Sequence, residues 1–175
     1  MAEDTIYQPI NSHTGEIRLL VLSGSLCEDG SPEYVFKYAK LCDEPIFEAL
    51  SYVWGDPTPV KLVLVDGVST KVPRNLGIIL PYLTSRLFSC PIWIDALCIN
   101  QEDHREKGEQ IALMGRIFSQ AQHVLSWLGE RPGPEEDDGW HRFEQRVLWQ
   151  KYPPLLHTTH SKMSKERVAT TSLLL

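Results

Sequence analysis

Ile92-Trp93-Ile94-Asp95-Ala96-Leu97-Cys98-Ile99-Asn100-Gln101 is an apolar run that ends in two amides and leads into charged residues. Ile92, Trp93, Ile94, Leu97 and Ile99 leave no solvent-facing side, which predicts a strand buried on both faces. Asp95 is the exception. A carboxylate inside such a run costs several kcal/mol, roughly, unless it is paired or hydrogen-bonded, so the sequence itself flags this position. Asp95, Asn100 and Gln101 could bind hydroxyl or amide groups of a ligand at the strand's end; alternatively, Asp95 and Asn100 cap the following turn and helix by accepting backbone N–H bonds.

Downstream, Ile111, Met114, Ile117, Phe118 and Ala121 fall at helical spacing, which predicts an amphipathic helix from about Asp103 to Ala121 with Glu102, Arg105, Glu106, Glu109 and Arg116 outward. His123 to Gly129 then reads as a short strand. Upstream, Ile17 to Leu22 and Tyr34 to Tyr38 read as strands, and Phe47 to Trp54 as a stronger one that stops at Gly55-Asp56-Pro57. Small residues at such a strand end let backbone approach a ligand, or simply make a turn. Trp54 could stack on a ligand's ring or serve as a core aromatic. Asp66-Gly67 between Leu62–Val65 and Val68–Val72 signals a β-hairpin. Beyond Pro73, the spacing of Leu76, Ile79, Leu80, Leu83 and Leu87 predicts a helix capped by Asn75 and interrupted or kinked at Pro81.

Strands apolar on both faces, alternating with amphipathic helices, predict an α/β domain: a mainly parallel central sheet flanked by helices, with an antiparallel accessory hairpin. Crossovers would bring the strand ends at Trp54, Asp95 and Leu128 to one edge, the default place for a site. The layout expected is an extended arm over 1–16, the α/β domain over 17–130, an acidic Pro/Gly linker over 131–139, an amphipathic helix over 140–151 and a disordered tail over 152–175.

A length of 175 residues suits one domain with a proper core, and 42% hydrophobic with 23% charged residues is the composition of a globular chain. A net charge of −6 without a basic cluster argues against a nucleic-acid footprint. No apolar run approaches the ~20 residues of a membrane helix, and the N-terminus starts acidic, so a cytoplasmic protein is expected. The four cysteines show no metal-binding or disulfide spacing and read as reduced core residues. His104 and His123 stand a full helix apart, so no metal site is expected. There is no Ser-His-Asp motif and no Gly-rich phosphate loop.

Phe47-Glu48-Ala49-Leu50-Ser51-Tyr52-Val53-Trp54-Gly55-Asp56, Val72-Pro73-Arg74-Asn75-Leu76, Trp93 to Gln101, Glu106-Lys107-Gly108-Glu109-Gln110 and Val124 to Gly129 together resemble the fungal heterokaryon incompatibility (HET) domain, in the family's order. The resemblance implies a fungal non-self recognition protein whose domain is a cell-death effector when incompatible strains fuse, acting through self-association or other cell-death signalling proteins, a form of innate immunity. It also implies a distant relation to TIR domains, some of which cleave NAD with a glutamate on the helix after a central strand. By that analogy, Glu106 and Glu109 are the catalytic candidates, Trp54, Asp56 and Asp95 line the cleft, and NAD is a substrate, with no cofactor required. Because the chain ends soon after the last matching block, a domain-only member or a truncated gene product is expected.

Overall fold

The first two apolar segments pair with each other. β1 (Glu16–Leu26) and β2 (Pro32–Lys40) run antiparallel from Glu16 opposite Lys40 to Leu26 opposite Pro32, because the loop between them is too short for anything else. The computed structural model describes residues 5–27, 29–56, 58, 60–87, 90–127 and 148–150. The expected linker over 131–139, the helix over 140–147 and the tail over 152–175 lie outside the described residues.

The following elements are β3 (Glu48–Ser51), β4 (Val60–Val65), β5 (Val68–Pro73), α1 (Arg74–Leu87), β6 (Ile92–Trp93), α2 (Asp95–Cys98), α3 (His104–Gln120), β7 (His123–Ser126) and β8 (Leu148–Gln150). The strands form one sheet in the order β5-β4-β2-β1-β6-β3-β7-β8. The fold is α/β, as expected, but the sheet is mixed rather than mainly parallel. Among the described residues only β6-β3-β7 and the β2–β4 pair run parallel. β1 meets β6 antiparallel, which sets two blocks of opposite sense side by side. β8, at the end of the region read as a helix, pairs antiparallel with β7.

The Asp66-Gly67 hairpin forms at the sheet edge as predicted, with both residues at positive φ (48° and 76°), which matches the turn to the strand twist. α1 continues through Pro81. Asn75 does not cap it; its side-chain amide donates to the Val53 carbonyl at 3.0 Å instead. α1 lies so close to β4 that a Cβ on Gly77 would stand 2.7 Å from the Lys61 Cβ.

The apolar run around Asp95 is not one strand. β6 takes only Ile92 and Trp93, after which the Leu97 and Cys98 N–H groups turn back to the Ile94 carbonyl at 3.1 and 2.7 Å. Leu97, Cys98 and Ile99 stay buried in this turn. A short continuous apolar run fits a buried helical turn as well as a buried strand, and periodicity cannot separate the two. α3 spans the expected residues with Asp103 as its N-cap, accepting from the Arg105 and Glu106 N–H groups at 2.9 and 3.0 Å. Of its expected stripe, Ile117 and Ala121 are buried and Met114 and Phe118 pack against the core, while Ile111 is 51% exposed and the polar Glu106 and Gln110 are buried in addition.

Candidate functional site

The parallel strands β3 and β6 deliver their carboxyl ends to one edge. Past β3 the chain continues through Tyr52 and Val53 to Trp54, whose indole N–H donates to Asp95 Oδ2 at 2.9 Å. The other oxygen, Oδ1, accepts the Ala96 N–H at 2.7 Å, and the Gln101 side-chain amide donates to the Asp95 carbonyl at 2.9 Å. Burial raises the Asp95 pKa, and the bonds from Trp54 and Ala96 work against that rise. Tyr52 is next to this carboxylate: burial first, and then the Asp95 charge, pushes its phenol pKa up. Among the described residues its buried hydroxyl has no hydrogen-bond partner.

The loop that presents Trp54 is held from below. Gly55 has φ +71°, and a Cβ there would stand 2.5 Å from the Asn75 side-chain nitrogen, so this position admits only glycine without a shift. The Trp127 N–H, just past β7, bonds to the Ser51 carbonyl at 2.9 Å, and its ring packs on Tyr82 of α1 with centroids 5.0 Å apart. Trp54 remains 40% exposed and Val53 76%. The edge thus presents aromatic surface around a half-buried carboxylate.

The remaining predicted residues lie elsewhere. Asp56 is exposed and closes a turn by accepting from the Thr58 N–H and hydroxyl at 2.9 and 3.0 Å. The Asn100 side chain accepts the Glu102 N–H at 3.2 Å, a local turn ahead of α3. Glu106 accepts two hydrogen bonds from the guanidinium of Arg18, at 2.5 and 2.9 Å, and a third from the Asn100 N–H at 2.8 Å. Arg18 is fully buried, lies under the Tyr7 ring and also donates to the carbonyls of Gln8 and Cys98. Glu109 pairs with Arg105 at 3.0 Å, and this bond holds its carboxyl below the usual range. Glu106 and Glu109 line a cavity of about 360 Å³ together with Pro9 to His13, Asp103 and Arg105; neither Trp54 nor Asp95 lines it.

Arg18, Asn75, Gln110, Tyr82 and Trp127 carry structural work that the sequence reading did not assign. Arg18 could have been found, since a lone charge inside Ile17–Leu22 raises the same question as Asp95. Among the described residues no group of three or more His, Cys, Asp or Glu side chains converges to hold a metal ion, and no helix is long and apolar enough to cross a membrane.

The family described as heterokaryon incompatibility protein (HET) matches residues 47–173. This chain belongs to the HET family. The match begins at Phe47, at the strand that carries Trp54, and extends past Gly129, where the motif blocks end. Heterokaryon incompatibility protein 6, OR allele, of Neurospora crassa is 36% identical over 138 residues, which are 70% of this chain and 19% of that protein. The chain therefore spans a minor part of the length of the curated relative it matches. No solved structure matches significantly. In this HET chain, the two longest motif blocks, Phe47 to Asp56 and Trp93 to Gln101, meet through the Trp54–Asp95 hydrogen bond.

Proposed function

We propose that this chain serves fungal non-self recognition as the effector domain of a heterokaryon incompatibility protein, and that it works by binding a partner or a second copy through the edge that carries Trp54 and Asp95. The observation that supports this most is the exposed aromatic surface at that edge, held rigidly by Gly55 and Asn75. Rigid aromatic anchors surrounded by polar groups are what recognition surfaces use. The order β6-β3-β7, with β3 between two later parallel strands, supports a TIR- or flavodoxin-like arrangement of this part of the sheet, in which the strand ends form the binding edge. The setting this reading implies is cytoplasmic. Inducible expression of the chain in fungal hyphae tests it: growth arrest and cell death are expected, and unchanged growth at a confirmed protein level counts against it.

A second reading, an NAD glycohydrolase, has its own support in the cavity beside Glu106 and Glu109, whose volume suits a small-molecule ligand. In that reading Glu109 is the freer carboxylate, since Glu106 is committed to Arg18. Nicotinamide release from NAD that disappears in Glu109→Gln would favour it; no turnover at high protein concentration would remove it.

A further inference from the structure

Asp95 differs from the carboxylates of α3 in one respect. Glu106 pairs with Arg18 and Glu109 with Arg105. Asp95 holds only neutral donors, the Trp54 indole and the Ala96 N–H, and among the described residues it has no cation within ion-pair distance. Among the described residues its charge is half-buried and uncompensated, beside an exposed indole ring and a phenol hydroxyl with no partner. A carboxylate next to an accessible aromatic face is the combination that takes up a planar organic cation. The ring attracts the cation through its quadrupole, and the carboxylate supplies the counter-charge.

We propose that the Trp54–Asp95 edge is a receptor for an arginine side chain of a partner protein, with the guanidinium against the Trp54 ring and hydrogen-bonded to the free lone pairs of Asp95. Arginine fits better than lysine because its flat guanidinium stacks and donates in one plane. The chain's net charge of −6 favours a basic partner surface over an acidic one. The inference rests on reading this edge as a recognition surface and names what the surface recognises.

The test follows the Trp54 indole N–H resonance, assigned with Trp54→Phe, while the intact chain is titrated with N-acetyl-arginine amide, with its neutral citrulline counterpart and with NAD. The arginine probe should move this resonance, with the citrulline compound binding about fivefold more weakly or less, and Asp95→Asn should erase the difference. Equal response to arginine and citrulline overturns the proposal, as does no response to either. A shift produced by NAD but not by arginine also overturns it, in favour of a nucleotide. Should Asp95→Asn fail to fold, the arginine and citrulline comparison on the unaltered chain decides alone. The hyphal growth test reports on the broader reading independently, so the two failures can be told apart.

Discussion

Loss of the charge has different consequences at Asp95 and at Glu106. The Asp95 pKa is raised above its unfolded value, so the folded state binds the proton more tightly and is favoured at low pH. That stability is lost as pH rises from the unfolded carboxylate value of about 3.9 through the raised folded one. Asp95→Asn removes the charge and leaves one carbonyl oxygen for two donors, the Trp54 indole and the Ala96 N–H, so that one partly exposed hydrogen bond is lost. Its unfolding free energy should therefore lie within about 1 kcal/mol of the parent at neutral pH, with the parent gaining relative to the variant as the pH is lowered. Urea titrations at several pH values measure this. Ile94 holds the N-cap position of α2, while Asp95 Oδ1 accepts the Ala96 N–H, and among the described residues Asp95 has no ion-pair partner. At Glu106 the charge has a buried partner. Glu106→Gln would leave the Arg18 guanidinium buried without its counter-charge, at a cost of about 3–5 kcal/mol. A melting temperature that stays level in this variant would contradict the assigned role.

The elements were legible where a pattern had one physical solution. Asp66-Gly67 fixed the hairpin, and the aspartate at 103 fixed the start of α3. Ambiguity remained where hydrophobicity alone carried the signal. The run after Ile92 divides into two residues of strand and a helical turn, and the inner face of α3 extends to Glu106 because Arg18 draws that carboxylate inward. No local rule contains that pull, since the partners are 88 positions apart in sequence. Likewise, Asn75 bonds across to the Trp54 loop instead of capping its own helix. That bond gives a prediction for the loop. Gly55→Ala must accommodate both a positive φ and the Asn75 amide, at a cost of about 1–3 kcal/mol. It should also shift the Trp54 indole resonance, whereas Gly108→Ala, with open space around it, should leave that resonance in place.

Across the whole molecule, the α/β class and the meeting of Trp54 with Asp95 followed from reading the strand ends together. The sense of the sheet did not, because the β1–β2 pair, read as two separate strands, enters the sheet as an antiparallel block against β6. The candidate site divides in two for the same reason. The aromatic edge with Asp95 lies at the ends of β3 and β6, while Glu106 and Glu109 lie under the N-terminal arm, where Gln110 donates to the Ser12 hydroxyl and the Glu16 carbonyl at 3.0 and 2.9 Å. Assigning recognition to the first place and chiefly structural work to the second makes the two separable by mutation. The most direct measurement is growth of hyphae expressing Trp54→Ala beside hyphae expressing Glu109→Gln, with protein level and melting temperature matched to the parent chain. Loss of the death response in Trp54→Ala and its retention in Glu109→Gln is the predicted result; retention in Trp54→Ala with loss in Glu109→Gln would contradict it.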